Sequence, residues 1–471
     1  MSKFHCCKQT SLSILLMLFI VQTCLSQHIV EIKNITIQGN YKTRDYVILN
    51  ELNLSVGDSI IIAELDEVIE KNRQQILSTG LFNEALLLLV NWEDYKADLV
   101  IDLQENWYLF PTPIFELADR NFNVWWQEQG RSLDRINYGV KLSHYNFLGN
   151  KDPLRLKVQF GYIRKFELNY NYPYLNKERT LGMGGSIFYS DNKEIAYITE
   201  GNKPQFRKSA DERVLLKRFR AGLNFNYRPN VNEWHSLRLE FHRNAVDPFV
   251  RDSLNQNYFL DDRTSIRFFY AEYDFRYDKR IYPTYPQGGF LLFGNVKKEG
   301  FGLFNDYNNL QIFGGFEYYL RAHPKLTLAT RLKAKTNLDR STVSYANNTG
   351  LGWLQSDVVT GFDLYVMDGT DFVISTNSAR LKFFDKNLKL AKWLPRQFEF
   401  MSLQLFFRFN FDYAYVNERD YTESNTLNNR WFYGFGPALD VIMFNNFLYS
   451  FEYSINDLGE HGFFIQTSVA F

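Results

Sequence analysis

The chain has 471 residues with 53 basic and 53 acidic side chains, so its formal net charge is zero. This balance excludes the basic excess typical of nucleic-acid-binding proteins, and no nucleic-acid partner is expected. Aromatic residues make up 17% of the chain, with 43 Phe and 30 Tyr, which exceeds the usage of ordinary soluble enzymes. Transmembrane β-barrels place such residues on the lipid-facing surface and in girdles at the membrane interfaces.

The first predicted element is a secretory signal peptide over residues 1–26. Two lysines precede an apolar run over residues 12–21, and cleavage is predicted after Ser26. The run is too short to span a bilayer comfortably. A lipoprotein anchored at Cys24 is the alternative, although the residues before this cysteine make a poor lipobox. All three cysteines lie in this segment, so the mature protein is predicted to contain no disulfide.

A small domain of mixed α and β structure is predicted over residues 27–107. Its predicted elements are a strand at 31–37, a short helix after Thr43, a helix over 65–77 ending at Gly80, and strands over 84–92 and 97–104. Thr43 stands at the expected N-cap position of the first helix. The order β-α-α-β-β predicts a three-stranded sheet covered by two helices.

From residue 108 to 471 the helical period disappears and apolar and polar residues alternate. In the stretch 403–415, large apolar side chains occupy one face, and the other face carries charged and amide residues, including Asp412. The core of a soluble sandwich could not bury these charges unpaired, whereas the wet lumen of a barrel accommodates them. The pattern therefore predicts a mainly β fold, a transmembrane barrel of about sixteen antiparallel strands. This number is even, as it is in single-chain bacterial barrels.

Residues 28–107 resemble a POTRA (polypeptide-transport-associated) domain. The stretches that carry the resemblance are 35–43, 57–58, 79–83 and 100–107, followed by Pro111. The barrel resembles the BamA-type bacterial surface antigen family, which inserts or translocates proteins at outer membranes. Its matching stretches are 278–288, 411–416 and 451–471. The last strand is predicted over 462–471, and its terminal Phe471 looks like the signal by which such barrels are recognised for assembly.

One departure from this family concerns the long sixth loop of its barrel, which normally carries an Arg in a Val-Arg-Gly-Phe/Tyr motif. Here Thr360 stands in the place of that Arg, followed by Gly361 and Phe362. The resemblance implies that these three residues and Asp412 lock the loop to the barrel wall. A hydroxyl cannot give the forked, charge-assisted contact of a guanidinium, so weaker anchoring is expected.

Two arginines are candidate partners for the inward-facing Asp412 in place of the missing loop arginine. Arg380 and Arg408 both lie on predicted strands and could each pair with Asp412. The sequence leaves this choice open.

The sequence contains no convincing enzyme motif. The seven histidines form no metal-binding pair, and neither a Gly-x-Ser-x-Gly elbow nor a Ser/His/Asp order is found. Residues Asp252, Asp261 and Asp262 have arginines beside them and are interpreted as solvated turns. No catalytic residue, no metal and no cofactor are therefore expected.

The resemblance implies a protein of the bacterial outer membrane, with its N-terminal domain in the periplasm, that assists insertion or translocation of other proteins. Expected partners are unfolded outer-membrane or secreted client proteins, periplasmic chaperones, lipoproteins and outer-membrane lipids. The alternative is a passive porin or surface receptor that keeps the fold without insertase activity, which Thr360 favours and the POTRA-like domain opposes. A third hypothesis is a secretion partner dedicated to one exported protein.

Overall fold

The computed structural model describes residues 29–469 apart from 177, 282–284, 305–306, 342, 390–399, 420–422 and 445–446. The predicted signal peptide over residues 1–26 and the terminal Phe471 lie outside the described residues. The chain divides into two compact units: residues 1–110 together with 143–154, and residues 111–142 together with 155–471.

The first unit contains a four-stranded sheet and two α-helices. Its elements are β1 (Ile29–Gln38), α1 (Asp45–Leu49), β2 (Ser59–Ile61), α2 (Leu65–Ser78), β3 (Phe82–Glu93) and β4 (Lys96–Glu105), with a 3₁₀ turn at Ile62–Glu64. The strand order is β2-β1-β4-β3, with β1 and β4 parallel. The three predicted strands and two helices are present. The short β2 was not predicted, because three residues are too few to establish an alternating pattern.

Alternating apolar residues of the central strands form the core of the first unit. Val30 and Ile32 of β1 and Leu99 and Ile101 of β4 have no exposed surface, and Ile76 of α2 packs on the same cluster. Successive side chains of a strand point to opposite faces, so only every second residue enters this core. The other face of the sheet carries polar residues together with exposed apolar residues of β3, such as Leu86 and Leu88.

The predicted N-cap at Thr43 is wrong. Helix α1 begins at Asp45, and its N-cap residue Arg44 makes no side-chain capping hydrogen bond. The Thr43 side chain is buried instead, with its hydroxyl 3.0 Å from the Tyr108 hydroxyl and accepting from Asn146 Nδ2 at 2.9 Å. Tertiary partners therefore hold this hydroxyl in the interior, where it cannot reach the helix N–H groups.

One antiparallel sheet of sixteen strands dominates the rest of the chain. Its strands are β5 (Leu109–Leu117), β6 (Ile136–His144), β7 (Leu154–Gly161), β8 (Ile163–Tyr172), β9 (Leu181–Asn192), β12 (Leu216–Tyr227), β13 (Glu233–Val246), β14 (Ser265–Asp278), β15 (Gly289–Glu299), β16 (Asn309–His323), β17 (Leu326–Asn337), β18 (Asp371–Lys389), β19 (Phe400–Asn417), β20 (Trp431–Met443), β21 (Phe447–Asn456) and β22 (His461–Val469). Each strand pairs with the next along the chain, apart from the separate hairpin of β10 (Glu194–Glu200) and β11 (Lys203–Lys208). The predicted strand number and antiparallel arrangement are confirmed.

Short helical elements lie in the connections of this sheet. They are α3 (Phe122–Gln127), 3₁₀ turns at Leu133–Arg135, Tyr345–Asn347 and Gln355–Asp357, and a π turn at Val250–Leu254. No helix within the described part of the chain has the length and apolar character of a membrane span.

The burial pattern of the strands identifies the outer face of the barrel. On β19, Phe407, Phe409 and Phe411 are 49%, 45% and 45% exposed, whereas Asn410 and Asp412 are 4% and 5% exposed. An apolar exposed face combined with a polar enclosed face is the arrangement of a transmembrane barrel, whose outer surface contacts lipid.

The turn after β1 provides a stability test of the first unit. Gly39 has a φ of +84°, and a Cβ there would lie 1.9 Å from the carbonyl oxygen of Leu103. We expect Gly39→Ala to destabilise this unit by at least about 2 kcal/mol, because backbone strain and a steric clash add. Limited proteolysis of the full chain, followed by mapping of cuts within residues 29–106, measures the effect.

The matched control is Gly57→Ala. Gly57 also has a positive φ, +93°, but nothing lies within 4 Å of a Cβ at this position. Only the conformational cost of about 1 kcal/mol applies there. Equal protease sensitivity of the two variants would contradict the role of close packing at Gly39.

Candidate functional site: the long loop inside the barrel

The connection between β17 and β18, residues 338–370, packs against the inner face of the barrel; we call it the lumenal loop. Its residues Leu351, Val359, Phe362 and Met367 are at most 1% exposed. They form one apolar cluster with inward side chains of three strands, namely Phe372 and Ile374 of β18, Ala414 and Val416 of β19, and Phe432 of β20. Apolar burial therefore holds this loop in the lumen.

The predicted contact between the lumenal loop and Asp412 is present in the structure. Asp412 Oδ2 accepts hydrogen bonds from the Thr360 hydroxyl at 2.7 Å and from the Thr360 backbone N–H at 3.1 Å. Its Oδ1 accepts from the backbone N–H of Asn377 at 3.0 Å. Thr360 thus contributes two donors, since its backbone N–H adds to the single hydroxyl bond considered from the sequence. The role of these contacts as a lock stays a prediction.

Gly361 and Phe362 fix the loop on the neighbouring strands. The Gly361 carbonyl accepts from Asn456 Nδ2 of β21 at 3.0 Å. The ring of Phe362 meets the ring of Phe432 edge-on with centroids 5.1 Å apart. A φ of +80° at Gly361 allows the chain to turn between these two contacts.

Gly434 is a site residue that the sequence analysis missed. It lies on β20 directly opposite Asp412 of β19. A Cβ at this position would lie 1.9 Å from the carbonyl oxygen of Thr360. The absence of a side chain therefore leaves the space that the loop occupies. A glycine inside a strand is a known signal of close backbone approach, but the partner is not readable from sequence.

Two lysines of β17 hold the other side of the loop. Lys333 Nζ donates to Asp357 Oδ1 at 2.6 Å, and both side chains are only 10% exposed. Lys335 Nζ donates to the carbonyl oxygens of Thr349 and Gly369, the latter at 2.9 Å. These charge-assisted bonds attach the loop to β17, whereas the Asp412 contact attaches it to β19.

Neither arginine considered as a substitute partner pairs with Asp412. Arg408 donates from Nε and Nη2 to the two oxygens of Asp440, at 2.7 and 3.1 Å. Arg380 donates to the Ser378 hydroxyl at 3.0 Å. Both arginines and Asp412 line a polar cavity of about 480 Å³ beneath the loop. The lumen is therefore not completely filled.

The loop also reaches the seam between the first and last strands of the sheet. No pairing between β5 and β22 occurs among the described residues. Instead, the side-chain amide of Asn123 in α3 pairs with the Ile465 backbone of β22, donating at 3.5 Å and accepting at 3.2 Å. A side-chain amide carries both donor and acceptor and so imitates one step of a β-ladder.

Asp363 at the tip of the loop joins both sides of this seam. Its backbone carbonyl accepts from Asn121 Nδ2, in the segment after β5, at 2.9 Å. Its carboxylate Oδ1 accepts from Gln466 Nε2 of β22 at 3.2 Å. The second oxygen, Oδ2, has no hydrogen-bond partner among the described residues, and burial raises the pKa of this loop carboxyl to about 6.

The remaining predicted site residue, Phe471, lies outside the described residues, and β22 is described from His461 to Val469. Its role as an assembly signal stays a prediction. Within the described ranges, no group of three His, Cys, Asp or Glu side chains has the arrangement of a metal site.

The fold and the loop geometry define a class: a POTRA domain followed by a sixteen-stranded outer-membrane-type barrel with a lumenal loop. Residues 30–106 match the POTRA family model, described as a surface antigen variable number repeat. No curated protein sequence matches the chain.

Two solved structures share this fold at low sequence identity. BamA from Haemophilus ducreyi lacking POTRA domains 1–3 is 15% identical with a TM-score of 0.66, covering 94% of this chain and 85% of that one. CdiB from Escherichia coli is 12% identical with a TM-score of 0.53, covering 94% and 76%. The predicted resemblance to BamA-type surface antigens is confirmed in the POTRA domain and in the barrel fold.

The close approach at Gly434 can be tested by one added methyl group. We expect Gly434→Ala to push Thr360 away from Asp412 and to destabilise the barrel by about 1–3 kcal/mol through overpacking. Samples incubated at increasing temperatures before electrophoresis measure this loss, through the temperature at which the compact, fast-migrating form disappears. Gly294→Ala in β15 is the matched control, since nothing lies within 4 Å of a Cβ there. Equal transition temperatures would contradict the contact.

The raised pKa of Asp363 predicts a pH dependence. The pKa of an aspartate in the unfolded chain is about 3.9, so the Asp363 carboxyl binds its proton more tightly in the folded protein. The contribution of Asp363 to stability is then fully present below about pH 4 and is lost as the pH rises through about 6. The difference in urea midpoint between the wild type and Asp363→Asn should fall over this interval and stay constant above it. If the difference in urea midpoint between the two proteins does not change with pH, the pKa of Asp363 is not raised in the folded state.

Proposed function

We propose that the chain is an outer-membrane barrel that assists insertion of client proteins into that membrane or their translocation across it. The observation that carries this proposal is the combination of a POTRA domain with a barrel whose lumen contains an anchored loop. In this proposal the POTRA domain lies in the periplasm and meets clients before they reach the barrel. No enzymatic step is involved, and burial of the client's apolar surface provides the driving force.

The edge of the POTRA sheet offers a surface for unfolded clients. β3 is the last strand in the order β2-β1-β4-β3, and only its β4 side is paired in that sheet. It spans twelve residues, and its side chains Leu86 and Leu88 are 52% and 45% exposed. An extended client segment can add to such an edge through backbone hydrogen bonds, with apolar side chains contributing affinity.

The seam of the barrel offers a second surface, for the client strand itself. In place of β5–β22 pairing, the described residues present the Asn123 amide and the Asp363 contacts. A few side-chain hydrogen bonds cost less to exchange than a complete β-ladder. A client strand that displaces them gains the backbone edge of β22 as a pairing partner.

The passive porin hypothesis receives less support from the geometry. A porin needs a continuous aqueous path, whereas Leu351, Phe362 and Met367 of the loop are buried against three strands. The substitution Thr360 was the main argument for this hypothesis. Thr360 nevertheless has two hydrogen bonds to Asp412.

Depletion of the protein followed by quantitative proteomics of the outer-membrane fraction tests the proposal. We expect the amounts of several barrel proteins to fall, because their insertion requires this chain. Loss of a single exported protein would instead identify a dedicated secretion partner. An unchanged proteome with altered solute permeability would overturn the proposal in favour of the porin.

A further inference from the structure

Three basic residues form a cluster on the outer face of adjacent strands; Lys217 of β12, Arg243 of β13 and Arg267 of β14 are the basic cluster. All three side chains are exposed. Arg243 lies directly opposite Arg267 in the β13–β14 register. Residues directly opposite in an antiparallel pair have Cα atoms roughly 5 Å apart, so two like charges are held side by side. Like charges directly opposite each other in a sheet are destabilising, and a bound anion would reduce their repulsion.

A phenylalanine lies one outward position further into each of these strands. Phe219, Phe241 and Phe269 each stand two residues from the basic residue of their strand and share its face. Phe219 and Phe269 are 37% and 41% exposed. The ring centroids of Phe241 and Phe269 are 5.7 Å apart, and both rings contact the ring of Phe304. The guanidinium carbon of Arg267 lies over the Phe304 ring, 4.9 Å from its centroid. The same order, cation and then aromatic ring, therefore repeats on three neighbouring strands.

The basic cluster lies at the barrel end with the longer connections. Residues 247–264 join β13 to β14 at this end, whereas residues 228–232 join β12 to β13 at the other. Long connections are extracellular and short turns periplasmic in barrels of this type. With the barrel in an outer membrane, as proposed above, the cluster is at the level of the outer headgroups and the phenylalanines are at the start of the acyl region.

Two members of the cluster have charges that no described residue neutralises. Neither Lys217 nor Arg243 makes an ion pair or side-chain hydrogen bond within the described part of the chain. Asp191 lies opposite Lys217 in the register, but its carboxylate accepts from Arg164 at 2.6 Å and from the Tyr189 hydroxyl at 3.0 Å. Arg164 thus provides an outward arginine on β8 whose charge is already paired.

We propose that the basic cluster binds the phosphomonoester groups of a phosphorylated glycolipid in the outer leaflet. An open cleft of about 900 Å³ lies over the cluster, with Tyr189, Phe219 and Phe241 in its lining. A phosphomonoester carries nearly two negative charges at neutral pH, which matches several cations better than a phosphodiester does. Arginine presents paired donors to phosphate oxygens, and the rings below provide an apolar surface for acyl chains.

Lipid titration of the purified full chain in neutral detergent, read by native mass spectrometry, tests the proposal. The probe is bis-phosphorylated lipid A, and the comparison lipid is the same molecule without phosphate. We expect the double variant Lys217→Gln/Arg243→Gln to bind the phosphorylated probe about tenfold more weakly than the wild type, the effect of losing charged hydrogen bonds. The dephosphorylated lipid should bind both proteins weakly and equally.

Arg164→Gln is the matched control, because Asp191 already pairs with this arginine. It should retain wild-type affinity, and heat-dependent electrophoretic mobility verifies that each variant is folded. Unchanged affinity of the folded double variant would overturn the proposal, as would equal affinity for the dephosphorylated lipid. Displacement of the lipid by an equal concentration of inorganic phosphate would also overturn it, since a free anion would then suffice. No client protein takes part in this assay, so its outcome is independent of the depletion experiment.

Discussion

The contact between the lumenal loop and the barrel wall is built around one buried carboxylate, Asp412. Asp412 is 5% exposed and receives three hydrogen bonds, two of them from Thr360. No described cation lies within ion-pair distance of it, so neutral donors alone replace the water that this carboxylate loses. A buried charge without such donors would be strongly destabilising, so the hydrogen bonds from Thr360 and Asn377 offset the burial of this carboxylate.

Space matters as much as charge at this contact. The loop can approach Asp412 only because Gly434, its neighbour across the β19–β20 pair, has no side chain. The apolar cluster around Phe362 then removes the loop from water, while Lys333 and Lys335 hold its other side. Hydrogen bonds and apolar burial therefore both anchor the loop, and the missing side chain at Gly434 leaves room for it. This combination is consistent with a loop that packs in the lumen although Thr360 stands where the family that the barrel resembles has an arginine.

The loop also reaches the seam between the first and last strands of the sheet. Asp363 contacts Asn121 beside the first strand and Gln466 on the last, and the Asn123 amide pairs with Ile465 between them. Among the described residues, these side-chain contacts link the two strands, and no backbone pairing between β5 and β22 occurs. The lumenal loop therefore contacts both sides of the seam through one residue, Asp363. The outer face near the basic cluster differs from the lumen, because its cations and two of its phenylalanines are exposed on the lipid-facing side of the barrel.

The sequence by itself determined the fold class, since an alternation of period two with aromatic residues on one face has few solutions other than a lipid-exposed barrel. Alternation along β19 also placed Asp412 on the inner face, whereas its grouping with Thr360, Gly361 and Phe362 was implied by the resemblance to the BamA-type family. Only the tertiary structure decided which partners meet. Arg408 faces the same lumen as Asp412 but pairs with Asp440, Gly434 provides the space for the loop, and Thr43 turns inward to Tyr108 and does not cap a helix. Strand periodicity fixes the face of a residue, whereas contacts between strands distant in sequence depend on register and loop path, which no local pattern encodes.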